Sequence, residues 1–183
     1  MASVVFLKGV NVGGHRIFRP SVLASKLARL GVLSVGAAGT FVVQKPISQA
    51  KLRQEFGCHL PFTTEAMICS CKDILELASA ECFSAPCGPD VVRFVSILGK
   101  RPRTLSPLPI SLPAEEDWLV RIVAIQGRFA FGMYRRNLQT IRLLGKLEKH
   151  LGGSITTRNW NTFSSLFKIL RTPRDSKTTE SSD

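Results

Sequence analysis

The stretch SVVFLKGVNVGGHRIFRPSVLASKLARLG, Ser3 to Gly31, decides how the rest of the chain is read. Its β-branched and aromatic residues from Ser3 to Lys8 form a strand pattern, and GVNVGG follows as a glycine-rich loop. Pro20 then opens a helix with apolar residues at Val22, Leu23, Leu27 and Leu30, and Gly31 stops it. Strand, loop and helix in that order begin a split β-α-β unit.

The following segments complete such a unit. LSVGAAG and TFVVQK read as two extended pieces around a turn at Gly39. Pro46 starts a second helix whose Leu52 and Phe56 point inward and whose end is Gly57. LPFTTEAMICSC is a fourth strand and KDILELASAE a third helix. The order β-α-β-β-α-β predicts a ferredoxin-like half over residues 1–84, a sheet with helices on one face, in an α+β protein.

A turn-rich joint, CFSAPCGPD, leads into a second half over residues 85–171. There VVRFVSILG is a strand, and the proline-rich connector 101–113 comes next. DWLVRIVAIQGRFAFGMY forms two strands joined by a turn at Gln126-Gly127. A helix over 138–151 ends at Gly152-Gly153, SITT is a short strand, and a closing helix runs from Trp160 to Leu170. The second half thus repeats the first, with the connector in place of the first helix, and suggests a structural duplication. Residues 172–183 offer nothing to bury and read as a disordered tail.

Composition narrows the classes. Of 183 residues, 44% are hydrophobic, which excludes intrinsic disorder, and the longest apolar runs fall far short of the roughly 18 residues that span a membrane. The strand pattern starting at Ser3 leaves no room for a removable leader, so a mature N-terminus is expected. Five cysteines contain no C-x-x-C pair and no histidine at metal-ligand spacing. Reduced thiols, a cytoplasmic location, no metal and no cofactor are the corresponding expectations.

The net charge of +12 is uneven: residues 1–90 hold nine Lys/Arg against six Asp/Glu, net +3, and residues 91–183 hold sixteen against seven, net +9. Anionic partners, small molecules or nucleic acid, suit such a surface. Two clusters are candidates to bind them. In the loop 7–16, Gly13 and Gly14 free backbone N–H groups while Lys8, Asn11, His15 and Arg16 supply polarity and charge. Neither a dinucleotide fingerprint nor a P-loop spacing is present there. In SITTRNWNTFSSLFKIL, Thr157 is expected to cap the closing helix, with Arg158 and Asn159 crowding its positive end, where an anion would reconcile dipole and guanidinium. Trp160, Phe163 and Phe167 fall at helical spacing and belong to the core.

FLKGVNVGG, GAAGTFVVQ and TTRNWNT, taken in order over Val5 to Leu170, resemble the signatures L-R-G-I-N-V-G-G, Q-S-G-N-V-V-F and T-T-R-N-W-x-T of the bacterial proteins called domain of unknown function 1697. The resemblance implies two ferredoxin-like halves and leaves activity unassigned. Ala37, Ala38, Gly39 and Thr40 stand where the family has Gln-Ser-Gly-Asn, so fewer side-chain hydrogen bonds are expected at that signature.

Three functions follow. The first is a binding protein for a phosphorylated or nucleic-acid ligand, using the glycine loop and Arg158 as a composite anion site. The second is a non-catalytic structural or interaction module, in which Asn11 holds a left-handed turn and Arg158 bonds backbone carbonyls between the halves. The third is an enzyme on a small anionic metabolite, for which His15 is the one general base on offer; no hydrolase elbow or paired carboxylates support it.

Overall fold

In the first half, β1 (Ser3–Leu7) lies at the centre of a sheet because every residue from Val4 to Leu7 is apolar and buried, as a strand covered on both faces requires. The computed structural model describes residues 2–11, 14, 16–79, 81–83, 87–102 and 107–172. Among these, β1 pairs antiparallel with β3 (Thr40–Val43) on one side and with β4 (Ala66–Ser70) on the other, and β2 (Val32–Val35) pairs with β3. The strand order is β2-β3-β1-β4.

Two helices cover one face. Helix α1 (Pro20–Lys26) uses proline at its first turn, continues as one tight turn over Ala28–Leu30, and stops where Gly31 turns left-handed at φ 63°. Helix α2 (Gln49–His59) begins three residues after Pro46, because the Ser48 hydroxyl accepts from the Lys51 amide and sets the N-cap. It also runs past the expected stop at Gly57. Leu23, Leu27, Leu52 and Phe56 pack on Val5, Leu7, Phe41 and Ile68.

The second half is built on β5 (Val91–Leu98), which is flanked by β8 (Phe129–Arg135) and β9 (Ile155–Asn159). β7 (Val120–Gln126) pairs with β8 through a tight turn at Gly127 and Arg128, one residue later than the pattern indicates. A strand absent from the sequence reading, β6 (Ile110–Leu112), lies inside the proline-rich connector and extends the sheet edge, giving the order β6-β7-β8-β5-β9. Among the described residues no helix lies between β5 and β7. Without β6, the second sheet repeats the strand order of the first, counterpart for counterpart.

Helix α4 (Thr140–Leu151) seats Leu143, Leu147 and Leu151 on the outer face of this sheet and ends at Gly152, φ 71°. The two inner faces share one core. Val4, Phe6, Met67 and Cys69 of the first sheet meet Val95, Ile97, Phe129 and Phe131 of the second, joined by Ile74 of α3 (Cys71–Glu76) and by Phe163, Leu166 and Phe167 of α5 (Trp160–Arg171). Helix α3 is launched by a capping box between Ser70 and Asp73. Trp160 contacts Phe83, Phe131, Phe163 and Phe167, as its helical spacing implied. The result is an α+β protein of two antiparallel sheets, of four and five strands. The tail 173–183 and part of the joint, 84–86, lie outside the described residues, as do 103–106 of the connector.

Gly132 in β8 marks where this packing is tightest. A Cβ there would press on the Phe94 ring and stand 2.8 Å from the Arg121 carbonyl oxygen. Gly132→Ala is therefore expected to lose about 2 kcal/mol by overpacking. That corresponds to a fall in Tm of roughly 4–8 °C for a domain of this size, read by thermal and urea unfolding. An unshifted transition would contradict the packing described.

Candidate functional site

The end of β1, the turn before β3 and the whole of β9 meet between the two sheets. β9 is longer than SITT: it runs through Asn159, and Val95 and Ile97 of β5 stand opposite Arg158 and Thr156. Alternation along the strand then places Thr156 and Arg158 on the face that looks into the shared core. Arg158 is consequently a strand residue with 6% of its surface exposed, and not a residue of the α5 N-terminus. The cap of α5 is Asn159, whose Oδ1 accepts from the Thr162 amide at 3.0 Å and hydroxyl at 3.1 Å; Thr157, the expected cap, instead shares a 2.7 Å hydroxyl contact with Ser96.

The guanidinium of Arg158 is fully engaged. Nε donates to Thr40 Oγ1 at 2.8 Å; Nη1 donates to Thr156 Oγ1 and the Thr157 carbonyl, both at 2.8 Å; Nη2 donates to the Leu7 carbonyl at 2.7 Å and the Gly39 carbonyl at 3.4 Å. A guanidinium has five N–H donors, and each has a protein acceptor, which leaves none for an outside anion. Among the described residues no carboxylate takes part. The Phe6 ring lies 5.8 Å from the guanidinium carbon and adds a cation–π contact. Burial pulls the guanidinium down to about 10, so it remains cationic at neutral pH.

The altered middle signature supplies acceptors without polar side chains at three of its four positions. The Ala37 carbonyl accepts from Asn11 Nδ2 at 2.7 Å, the Gly39 carbonyl accepts from the Leu7 amide at 2.8 Å, and Thr40 offers its hydroxyl to Arg158. Thr40 alone of the four contributes a side chain, and the other contacts are made by main-chain carbonyls. Gly39 itself, at φ 70°, has no room for a side chain: a Cβ would lie 2.5 Å from Val10 Cγ2 and 3.1 Å from Leu7 Cβ.

The glycine loop is likewise occupied with its own shape. Asn11 adopts φ 54°, its Nδ2 also reaches the Phe18 carbonyl at 3.1 Å, and its Oδ1 accepts from the Phe18 amide at 2.9 Å. Gly14 and Arg16 are exposed, and Arg16 has φ 48°. Gly13 and His15 lie outside the described residues. Lys8 turns away from the loop and crosses to the second half, donating to Ser154 Oγ at 2.7 Å and pairing with Glu148 at 2.5 Å. That lysine holds the Glu148 carboxyl below its usual range, against the opposing effect of burial.

Of the residues singled out in the sequence, Lys8 and Arg158 cross-link the halves, whereas Asn11 braces its own turn, Thr157 bonds Ser96 within the second sheet and Asn159 caps α5; they do not form a facing pair of ligand clusters. Sequence reading missed Arg128, whose Nε reaches the Leu98 carbonyl at 2.9 Å and whose Nη1 reaches the Ile68 carbonyl at 3.2 Å in the other half. It also missed Glu65, whose carboxylate accepts from the Ser154 hydroxyl across the same boundary. Charge patterning cannot find such pairs, because the partners are brought together only by the packing of the two halves.

Among the described residues no cluster of His, Cys, Asp and Glu is arranged to hold a metal. Nor is any helix long and apolar enough to cross a membrane. The cysteines are free: Cys58 and Cys87 are exposed, while burial pushes the Cys69 thiol up to about 11.

A conserved bacterial protein from Streptococcus pneumoniae shares this fold, with a TM-score of 0.56 at 18% identity over 93% of this chain and 98% of that one. No family model matches the chain, and no curated protein does.

The thiols differ in a way that can be read directly. At about pH 8 a thiolate-selective disulfide reagent is expected to modify Cys58 and Cys87 in the native protein while Cys69, neutral and buried, reacts only on unfolding. Mass mapping of the modified peptides checks this; native labelling of Cys69 at the rate of Cys58 would contradict it.

Proposed function

We propose that the chain is a non-catalytic interaction module whose signature residues hold its two halves together as one body. The observation that carries this reading is the saturated guanidinium of Arg158, which spends every donor on Leu7, Gly39 and Thr40 of the first half and on Thr156 and Thr157 of the second. Two further crossings support it: Lys8 to Ser154 and Glu148, and Arg128 to Ile68. The composite anion site of glycine loop and Arg158 has less in its favour, since Lys8, Asn11 and Arg158 all have protein partners.

As part of the same proposal, each half is a ferredoxin-like unit, the second with its first helix replaced by the connector. The repeated strand order supports this. Membership of the domain of unknown function 1697 family is proposed on the convergence of the three signatures, for Leu7, Gly39 with Thr40, and Thr156 with Arg158 contribute to a single hydrogen-bond cage. A reducing cytoplasm suits the five free thiols.

Arg158→Ala strips the cage of its donors and leaves buried acceptors unpaired, a loss of about 3 kcal/mol. Tm should fall by roughly 6–12 °C. Arg158→Lys, with a charge but too few donors in the wrong geometry, should recover only part of it. Differential scanning calorimetry measures both; a Tm unchanged in the alanine variant would reject the lock and return Arg158 to the list of ligand contacts.

A further inference from the structure

The boundary between the halves opens into a cleft that none of the signature residues of the Arg158 cage lines. Its volume is about 740 Å³, within the roughly 300–1,000 Å³ of small-molecule sites. Arg53 enters from α2 and Glu65 from the residue just before β4, while Lys100, Arg101, Gly152 and Ser154 come from the loops after β5 and α4. Three cations thus face one carboxylate, a surplus of two positive charges.

The distribution of partners makes that surplus available. Glu65 accepts from Ser154, which in turn accepts from Lys8, so the carboxylate is engaged in bracing the two walls. Gly99 lies tight against this brace: a Cβ on it would stand 3.1 Å from Glu65 Oε1. Arg53, Lys100 and Arg101 are exposed, and among the described residues none of the three is paired with an acid. Arg53 reaches the neutral Gln49 side chain at 3.5 Å, a long contact that a stronger acceptor would displace. The glycines at 152 and 153 present no side chain, so a ligand can approach the backbone between them and the cations.

A phosphomonoester carries about −1.5 to −2 charges at pH 7 and three acceptor oxygens, which matches both the surplus charge and the mixture of guanidinium and ammonium donors. We propose that this cleft binds a metabolite-sized phosphomonoester, with Arg53, Lys100 and Arg101 holding its phosphate group against the Gly152-Gly153 turn. The site does not depend on the lock at Arg158, and its test reads ligand binding where the lock's test reads Tm.

The experiment is an amide NMR titration of the full chain with inorganic phosphate and with adenosine 5′-monophosphate, each repeated at raised salt. Saturable shifts at Gly99, Gly152 and Gly153 are expected, larger in affinity for the nucleotide and weakened by salt. Arg53→Gln combined with Lys100→Gln should weaken binding by about tenfold or more, the loss of charge-assisted bonds, while Tm stays at the wild-type value. Absence of saturation by either probe would overturn the proposal, as would equal affinity in the double variant. A single-stranded RNA oligomer that titrates these amides when neither phosphate probe does would overturn it in favour of a nucleic-acid surface.

Discussion

One buried cation sets the terms for the rest of this structure. Arg158 is buried, with 6% of its surface exposed, and among the described residues it has no acid beside it. Desolvating an ion costs several kcal/mol even after the protein relaxes, and here only neutral oxygens and one aromatic face offset that cost. They succeed because they are many and fixed. Three carbonyls and two hydroxyls surround the guanidinium, and each comes from a backbone already tied into a strand or a turn. The arrangement works only when β1, the turn before β3 and β9 are all in place, so a residue in the second half reports on the shape of the first.

The other crossings reinforce that dependence at different depths. Apolar side chains of both sheets fill one core around Phe6, Phe131 and Phe163, which makes the sheets inseparable without exposing it. Arg128 bonds carbonyls of β4 and β5 at one place, and the Lys8, Ser154, Glu65 and Glu148 network does the same nearer the solvent. Half-exposed ion pairs of the latter kind contribute little energy on their own. Their value is geometric, since they fix the walls of the cleft in which Arg53, Lys100 and Arg101 have no acid partner among the described residues.

Much of the chain order was legible because it is local. Among the described residues, hydrophobic periodicity located eight of the nine strands and all five α-helices, and proline, serine and glycine marked most of their ends. What stayed hidden depended on pairing across the fold. β6 is three residues long and sits among prolines, so it exists only because β7 offers an edge to it. The α2 start was placed at Pro46 because a proline at a first turn is a strong cue, yet the Ser48 hydroxyl supplied the better cap. Arg158 was misplaced for a related reason: the strand was read as SITT, ending at Thr157, which put Arg158 at the helix start, although Thr156 and Arg158 alternate onto the face that meets the core. No single-sequence cue separates a cationic helix start from a strand cation buried on the inner side. The acceptors of the Ala37 to Thr40 turn stayed hidden for another reason: they are mainly carbonyls and carry no signature in side-chain type.

The central claim is that Arg158 binds the two halves to each other, and the contact that crosses between them most cleanly is its Nε to the Thr40 hydroxyl at 2.8 Å. A double-mutant cycle over Arg158→Ala and Thr40→Ala, read by urea unfolding, isolates that contact from the cost of either truncation. The structure predicts a coupling energy of about 1.5–3 kcal/mol, the range of a buried hydrogen bond to a charged group. Additive losses, with a coupling near zero, would contradict it.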